Sequence, residues 1–598
     1  MESQHHTEID LGQAYPELAG KPLNINGQAV HSENPDRHKQ HGFHFNADNC
    51  IGCHACETAC AEKNGTPAHL SYRHVGYLEG GSYPDVVRVN VSMACNHCED
   101  PVCLKGCPTL AYTKYVEYGA VLQDPNICFG CGYCTWVCPY NAPVLDPVKG
   151  EVQKCNMCVD RLEDGLQPSC VAACLSNALD FGIVDLLPKG KEQAKLEIPG
   201  FPDPAISRPN IRFEQKRSLP AQLMRADNDP FMLERDKTGP TTDAKYKVKP
   251  INPTERMGWG FDHLRSREDS LVFFTLLSQF VVGTFLLLFL LPKIMGLASV
   301  PSFSQMHPTL LSGTLFFLFA AQAVGMVIST LHLGKPRFFY RAINNLRHSP
   351  VSQEILTMGA FHQLLFCYFV VTTFPGMMSF LPDLFVQVMP ELFGWATSGM
   401  GILGIFCMYR CYRIPARPFW NHWHTGGVFA ASGLILGSLT VGLLFGLADW
   451  WMGKSPDAVL SALAWPFLLG TLLQGVSLFS HTRYLKEKGE EAAVSQMLMM
   501  SRFGKTAIFR TIGNAVLCLI ASLFALGWFA GGWGLFLWGI LLLHAVFHEL
   551  IGRALFYVAV IPTTIPGAFF WGNKSFEAHA RKTGLANMPQ VGVVPGKH

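Results

Sequence analysis

Charged residues are scarce in this chain, and the two signs nearly cancel. Asp, Glu, Lys and Arg together make up 15% of the 598 residues, and the formal net charge is +2. A net charge near zero suggests neither nucleic acid nor an acidic partner, and so low a charged fraction is unusual for a soluble protein. The composition therefore gives no indication of a nucleic-acid partner and suggests contact with a membrane.

We expect no export signal at the start of the chain. Residues 1–42 are polar and aperiodic, without a twin-arginine pair and without the apolar run of a secretory leader. We expect a polar N-terminal extension here. A disulfide framework, which is typical of small secreted chains, is not favoured for a chain of this kind.

What the sequence does have is cysteine, concentrated in one stretch. Sixteen of the twenty cysteines lie between Cys50 and Cys174, in four groups of four. The groups are Cys50, Cys53, Cys56 and Cys60; Cys95, Cys98, Cys103 and Cys107; Cys128, Cys131, Cys134 and Cys138; and Cys155, Cys158, Cys170 and Cys174.

The third group, CFGCGYCTWVCP, matches the ligand run of bacterial cubane clusters without a gap. A short loop with a cysteine at every third position presents three sulfurs to three irons, and the fourth ligand comes from elsewhere in the chain. Structural zinc commonly recruits histidine, but no histidine stands at ligand spacing here. The sixteen cysteines therefore predict four [4Fe–4S] clusters, which together suit electron transfer.

The remote cysteine of one run serves the cluster of another run in two-cluster ferredoxins. A nested arrangement would pair the first group with the fourth and the second with the third, although spacing alone leaves other pairings open. The nested sets are Cys50, Cys53, Cys56 with Cys174; Cys155, Cys158, Cys170 with Cys60; Cys95, Cys98, Cys103 with Cys138; and Cys128, Cys131, Cys134 with Cys107.

The clusters dictate the expected fold of residues 43–185, an α+β ferredoxin-like domain in which short strands and helices surround inorganic cores. We refer to it as the cluster domain. Residues 186–265 are rich in proline and lack periodicity. This composition predicts an extended strap that docks on a partner or on the cluster domain, with a free linker as the alternative.

The second half of the sequence changes character at residue 266. Uncharged runs long enough to cross a bilayer, which takes roughly 20 apolar residues, predict an all-α bundle of eight transmembrane helices over residues 266–560, followed by a C-terminal tail at 561–598. We call this bundle the anchor. The predicted spans are 271–291, 309–331, 351–374, 392–412, 425–447, 458–480, 511–530 and 533–560.

The loops between the spans differ in charge. The loops after spans two, four and six carry most of the lysines and arginines, whereas the other loops carry only Lys293 and Lys454. The positive-inside rule then places both termini and the cluster domain in the cytoplasm of a bacterium, with the anchor in the inner membrane. The alternative is that these basic loops face an acidic docking surface or an anionic substrate.

Ionisable residues near membrane depth are candidate functional residues. His332 and Glu354 flank the loop between spans two and three, where an acid–base pair suits a quinone that exchanges two protons. Helix capping is the structural alternative. His544 and His548 share one face of the last span, but nothing in their spacing requires haem, and we expect none.

The two halves together resemble two subunits of the dimethyl sulfoxide reductase family of molybdenum enzymes, joined in one polypeptide. The stretch KCNMCVDRLEDGLQPSCVAACLSNALDFG resembles the four-cluster subunit, and LHLGKPR, the loop to SQEI, and ELIGRALFY resemble the eight-span anchor. The resemblance covers residues 43–182 and 270–570.

The resemblance implies a separate catalytic subunit that carries a molybdopterin cofactor. It also implies the nested pairing, with the first group's cluster nearest molybdenum and the third group's cluster nearest the membrane. Such anchors lack haem and bind quinone near His332 and Glu354, and Cys131 stands where the related nitrate reductase subunit has tryptophan. Four complete clusters are therefore expected.

We accordingly predict a non-catalytic electron-transfer and anchor subunit that exchanges electrons with menaquinone or ubiquinone. His332 and Glu354 would handle the quinone protons, and Arg337 and Arg341 would orient a quinone carbonyl. The cytoplasmic arrangement resembles that of the sulfite-oxidising branch of the same family, and this resemblance implies sulfite as the partner's substrate. The alternatives are an S-oxide or N-oxide reductase fed by menaquinol, a redox-driven ion pump, and a purely structural anchor.

Overall fold

The computed structural model describes most of the cluster domain and of the anchor. The described residues are 24–25, 28–29, 36–67, 70–81, 84, 86–184, 194–219, 222–225, 231–235, 246–250, 261–294, 307–378 and 382–561. The predicted C-terminal tail, apart from residue 561, and most of the predicted N-terminal extension lie outside these residues, as do parts of the predicted strap.

The cluster domain and strap contain fourteen described strands. They are β1 Asn24–Ile25, β2 Gln28–Ala29, β3 His41–Asn46, β4 Arg73–Gly80, β5 Val87–Ala94, β6 Tyr112–Lys114, β7 Val121–Gln123, β8 Val144–Asp146, β9 Glu151–Gln153, β10 Leu179–Ile183, β11 Ile211–Glu214, β12 Gln222–Arg225, β13 Phe231–Arg235 and β14 Tyr246–Pro250. One sheet has the order β10-β3-β11, a second has the order β14-β13-β12-β4-β5, and β1-β2, β6-β7 and β8-β9 form hairpin pairs.

Five short helices complete the cluster domain. They are α1 Ala55–Asn64, α2 Val102–Gly106, α3 Tyr133–Val137, α4 Val159–Glu163 and α5 Ser169–Ala172. Helices α2 and α3 occupy equivalent positions in their cysteine runs. Each contains the third cysteine of its run, Cys103 or Cys134, and ends just before the fourth, Cys107 or Cys138. A helix of this length reverses the direction of the backbone and separates the fourth thiol from the first three.

Part of the strap is built into the cluster domain. Strand β11 lies parallel to β3, with Ile211 opposite Phe43 and Phe213 opposite Phe45. The side chains of Phe43, Ile211 and Phe213 are no more than 2% exposed, and that of Phe45 is fully buried. Strand β12 extends the second sheet by pairing with β4. These parts of residues 186–265 thus lie on the cluster domain itself.

The anchor contains nine described α-helices, eight of which are long and apolar enough to cross a membrane. They are α6 Asp269–Ile294, α7 Pro308–Ser329, α8 Pro350–Thr373, α9 Asp383–Cys411, α10 His424–Trp451, α11 Asp457–Lys488, α12 Glu490–Ser501, α13 Gly504–Ala525 and α14 Gly531–Val558, the short helix α12 being the one that does not qualify. The predicted fold class, a ferredoxin-like domain followed by an eight-helix transmembrane bundle, is confirmed.

The first and fifth spans form the centre of the bundle. Their apolar windows are 78% and 72% buried, well above those of the other spans. They approach each other through glycine, since a Cβ on Gly283 would meet the Gly433 carbonyl oxygen at 2.2 Å. Small residues allow such close helix contacts in membranes, where packing replaces the hydrophobic effect.

Candidate cluster sites and their contact with the anchor

The cysteines of the cluster domain gather into four sets, and none of them forms a disulfide. One small cavity is lined by Cys50, Cys53, Cys56 and Cys174, and another by Cys95, Cys98, Cys103 and Cys138. The Cys155 and Cys60 thiols lie close together with those of Cys158 and Cys170, and Cys131 and Cys134 lie close to Cys128 and Cys107. The fold thus brings together the nested sets.

The donor chemistry of these sets fits iron–sulfur clusters. Backbone N–H groups point at thiol sulfurs in three of the sets, from Leu179 to Cys174, from Ala111 to Cys107 and from Met157 to Cys155, at 3.3–3.4 Å. Such hydrogen bonds stabilise thiolates and tune cluster potential. Among the described residues, no three His, Cys, Asp or Glu side chains converge closely enough for a single metal ion, whereas a cubane holds its thiolates farther apart.

Buried cations accompany the cysteines. Arg73, 1% exposed, donates to the Ser92 hydroxyl at 3.0 Å, and that hydroxyl contacts the Cys56 sulfur at 3.3 Å. Lys154, 6% exposed, donates to the Cys95 sulfur at 3.3 Å. Burial by itself would lower the pKa of both cations, but the neighbouring thiolates raise it above the ordinary value. These fixed charges offset part of the negative charge that thiolate-bound clusters carry.

The four sets form a row. Cys56 lies within electrostatic reach of Cys170, and Cys155 within reach of Cys95, so the Cys155 set stands between the Cys50 set and the Cys95 set. Buried Tyr112 lies near both Cys103 and Cys134, which links the Cys95 set to the Cys128 set. The Cys50 set and the Cys128 set are therefore the two ends of the row.

The two ends face different surroundings. At one end Cys53 is exposed, and the adjacent Ile51 and Leu175 are 65% and 77% exposed. At the other end, the Tyr133 hydroxyl donates to the Cys411 carbonyl of the anchor at 3.0 Å. One end of the row is thus open to a partner, and the other is covered by the anchor.

The loop CFGCGYC and the anchor motif LHLGKPR are in direct backbone contact. Gly334 N–H donates to the Gly130 carbonyl at 3.2 Å, and Lys335 N–H donates to the Phe129 carbonyl at 3.0 Å. A Cβ on Gly334 would meet the Gly150 carbonyl oxygen at 2.2 Å, and Gly130, with a φ of +74°, adopts a conformation that favours glycine. The glycines of both motifs thus permit this approach.

Side chains of the loop between spans two and three reinforce the contact. Lys335 Nζ pairs with the Glu151 carboxylate at 2.6 Å, and Arg341 donates to the Asn126 carbonyl at 2.7 Å. Asn345 donates to the Cys107 carbonyl at 2.9 Å. From the next basic loop, Arg417 donates to the Thr135 carbonyl at 2.8 Å. Residues of the basic loops therefore bind the cluster domain to the anchor.

The four residues predicted for the quinone site differ in their surroundings. Glu354 is buried, and its carboxylate accepts a hydrogen bond from the Cys411 thiol at 3.0 Å. His332 ends a short 3₁₀ helix, and its ring contacts the Ser329 carbonyl. Arg341 is engaged with the cluster domain, and Arg337 is exposed. Among the described hydrogen bonds, none joins His332 to Glu354.

Arg267 is a residue of the contact that the sequence did not single out. Its guanidinium donates to the Gly130 carbonyl at 3.3 Å and to the His332 carbonyl at 3.1 Å, and so bridges the cysteine loop and the histidine. It stands just before the first span, where an arginine reads as an ordinary flanking charge. The one available signal was its position two residues before Asp269 at the cluster-side end of that span.

One histidine of the last span, His548, is engaged by other contacts. The two ring nitrogens of His548 contact the Arg510 carbonyl at 2.7 Å and the Glu549 carboxylate at 3.2 Å. Glu549 also accepts hydrogen bonds from Ser432 and Gln474, both at 2.7 Å. His548 therefore has no ring nitrogen free to ligate a haem iron in this arrangement.

The fold and the cysteine sets define an iron–sulfur electron-transfer protein that is integral to a membrane. Two family models match it: a 4Fe-4S dicluster domain at residues 87–184 and the DMSO reductase anchor subunit (DmsC) at residues 263–558. This polypeptide belongs to the dimethyl sulfoxide reductase family and joins the iron–sulfur subunit and the membrane anchor of such a complex in one molecule. The predicted resemblance is confirmed.

The cluster domain is similar to subunits of several differently named enzymes, three of which follow. One polypeptide of the anaerobic dimethyl sulfoxide reductase of Escherichia coli is 38% identical over 180 residues, 29% of this chain and 87% of the relative. One subunit of the sulfite dehydrogenase of Allochromatium vinosum is 39% identical over 156 residues, 23% of this chain and 65% of the relative. The iron–sulfur subunit of the nitrate-inducible formate dehydrogenase of Escherichia coli is 34% identical over 181 residues, 27% and 60% respectively.

Proposed function

We propose that this chain passes electrons along four [4Fe–4S] clusters between a catalytic partner and a quinone in the membrane. The nested cysteine sets would hold the clusters, and when bound the clusters supply one-electron carriers. The chain's own residues bury most of the row, neutralise charge through Arg73 and Lys154, and hold the last set against the anchor. This last contact, between Gly130 and Gly334, is the observation that carries the proposal.

The quinone would bind beside the last cysteine set, at His332 and Glu354. Glu354 lies within electrostatic reach of Tyr133, which follows Cys131 by two residues, so a quinone at this carboxylate is adjacent to the last cluster. An imidazolium and a carboxyl can each give one proton as the quinone gains two electrons, and a neutral imidazole and a carboxylate can each take one as a quinol loses them. Arg337 is exposed and free to face a quinone carbonyl, whereas Arg341 would first have to leave Asn126.

The catalytic partner would carry molybdopterin and dock at the open end of the row, around the Cys50 set. Exposed apolar side chains beside a redox centre, here Ile51 and Leu175, are typical of a surface that a partner covers. We favour sulfite as the partner's substrate, with dimethyl sulfoxide or another S-oxide or N-oxide as the alternative. Relatives named for each of these two substrates match the cluster domain at nearly equal identity.

The cluster domain would lie on the cytoplasmic side of the inner membrane. Some basic loop residues, such as Lys335 and Arg417, contact the cluster domain. These residues would be required on whichever side of the membrane the cluster domain lies, so they do not indicate the side. Lys486 and Lys488, by contrast, are exposed at the end of α11. The positive-inside rule therefore still applies to the loop after span six, and it favours the cytoplasm.

A substitution of His332 tests the quinone site. In membranes that contain the whole complex, we expect His332→Ala to retain partner activity with a soluble dye and to lose quinone-linked turnover by on the order of 100-fold, because a proton donor is lost. His348→Ala, an exposed histidine of the same loop, is the control and should behave as wild type. Wild-type quinone turnover in His332→Ala would remove this residue from the mechanism.

A further inference from the structure

Glu354 is positioned to exchange protons with a quinone, but it is itself shut off from water. Glu354 is 8% exposed. The cluster domain packs against the neighbouring part of the anchor, where its Tyr133 hydroxyl donates to the Cys411 carbonyl. Each turnover moves two protons, so a buried carboxyl needs a route by which its proton is replaced or removed. Polar residues near Glu354 provide a candidate for such a route.

A cleft of about 370 Å³ opens between the cluster domain and the anchor. Its walls come from helix α3, from the start of the first span, from the loop before α10 and from the end of the last span. Polar side chains from all four walls face it, and the ones used below are Glu268 and Tyr557. The cleft is large enough for several water molecules, each of which needs roughly 30 Å³.

Glu268 is the acidic group of the cleft. Its Oε2 atom is buried and has no hydrogen-bond partner among the described residues. Burial raises the pKa of this carboxyl above its ordinary value; the neighbouring Arg267 lowers it in part, and Asp269 raises it further. A carboxyl in this setting holds a proton at a higher pH than a surface glutamate does.

Two tyrosines connect the cleft to the interior. Tyr557 lines the cleft, and its hydroxyl lies 2.5 Å from the hydroxyl of Tyr412, both side chains being at most 5% exposed. The carboxylates of Glu268 and Glu354 are both within electrostatic reach of Tyr557. Tyr412 is likewise within reach of Glu354 and follows Cys411, whose thiol donates to that carboxylate.

We propose that Glu268, Tyr557 and Tyr412 form a proton route between the interdomain cleft and Glu354. A tyrosine hydroxyl both donates and accepts a hydrogen bond, so a pair of them can pass a proton by a concerted shift in either direction. When a quinone is reduced, two electrons arrive from the last cluster and two protons are taken up from water on the cluster side, one of them through Glu354. When a quinol is oxidised, the same groups release that proton.

The route rests on the proposed quinone site, and it adds a consequence that this site alone lacks. Protons would be exchanged only with the compartment that holds the cluster domain. Arg553, near Tyr557 on the last span, lies beyond the tyrosine pair and donates to Gln279 at 2.6 Å. A fixed positive charge at that point disfavours passage of a further cation deeper into the bundle.

The test uses Glu268→Gln and Tyr557→Phe in membranes that contain the whole complex. Both changes keep the approximate shape of the side chain and remove its acidic proton. We expect quinone-linked turnover to fall by about 10- to 100-fold, with a larger solvent deuterium isotope effect than in wild type. Affinity for a quinone-analogue inhibitor and the reduction of the last cluster by the partner should stay at wild-type values, and Glu268→Asp should restore part of the turnover.

Matched controls are Glu487→Gln, an exposed carboxylate on the same side of the anchor, and Tyr340→Phe, an exposed tyrosine of the loop between spans two and three. Wild-type turnover and isotope effect in both Glu268→Gln and Tyr557→Phe would overturn the route. So would a loss of inhibitor affinity equal to the loss of turnover, since that marks a structural role. If wild-type membranes show no quinone-linked turnover at all, the quinone site itself fails, which is a different result.

Discussion

Replacing Gly334 by alanine is expected to separate the anchor from the cluster domain where their backbones are closest. The added Cβ would lie 2.2 Å from the Gly150 carbonyl oxygen and 2.4 Å from its carbonyl carbon. These separations are about 1 Å or more below ordinary van der Waals contact. The neighbouring atoms are backbone rather than a flexible side chain, so the two loops must move apart.

The cost follows from the hydrogen bonds that such a movement breaks. The bonds from Gly334 N–H and Lys335 N–H now measure 3.2 and 3.0 Å. A shift of about 1 Å takes both beyond the useful range. Two backbone hydrogen bonds contribute about 1–3 kcal/mol net, which corresponds to a roughly 5- to 150-fold shift toward the undocked arrangement.

The assay compares two activities of the same membranes. We expect Gly334→Ala to keep its iron content and the dye-linked activity of the partner, and to lose quinone-linked turnover in proportion to the undocked fraction. Hydrogen exchange in residues 126–137 should become faster, because this segment loses its cover. Gly359→Ala is the control, since a Cβ at that position in the third span meets nothing within 4 Å.

Unchanged quinone turnover together with unchanged hydrogen exchange in Gly334→Ala would refute this reasoning. It would mean that the contact of the two glycine loops is not what holds the last cysteine set against the anchor. Faster exchange without loss of turnover would show that the contact is real but that the quinone receives its electrons elsewhere.

Two further predictions concern the row of cysteine sets. Lys154→Met removes the positive charge that donates to the Cys95 sulfur, and we expect the midpoint potential of the cluster at that set to fall by roughly 100 mV, the effect of one charge about 6 Å away at an effective dielectric constant of 20. A redox titration followed by electron paramagnetic resonance measures this shift, and an unchanged set of potentials would contradict it. Cys131→Ala should remove a whole cubane from the last set, so that iron content falls below the roughly sixteen atoms of four complete clusters and quinone-linked turnover is lost while dye-linked activity remains. Full iron content in that variant would exclude Cys131 as a ligand.

Local patterns were sufficient to predict the two halves of this molecule. The ligand runs are short and the spacing of their cysteines reflects the shape of the cluster, so candidate ligands could be named from a dozen residues at a time. The membrane spans can likewise be predicted from neighbouring residues, because a bilayer requires an apolar helix of a certain length. The first span was predicted at 271–291, and the helix runs over Asp269–Ile294.

The strap illustrates where local patterns stop. Its proline content predicted an extended segment, and residues 211–214 are indeed extended, but as a strand parallel to β3. The partner strand lies more than 160 residues away, and nothing within the segment specifies it. Parallel pairing of this kind is decided by burial of Phe213 beside Phe45 once the domain is assembled.

The sequence by itself determined the four groups of candidate cluster ligands and the eight apolar spans, because both depend on neighbouring residues and on fixed external dimensions. Only the tertiary structure decided which thiols share a set, how Gly334 meets Gly150, and that Arg267 bridges the cysteine loop and His332. The same holds for the cleft in which Glu268 faces Tyr557. These contacts join residues that are distant in the sequence, 65 positions apart for Arg267 and His332 and 137 for Arg267 and Gly130. They exist only after the chain has folded.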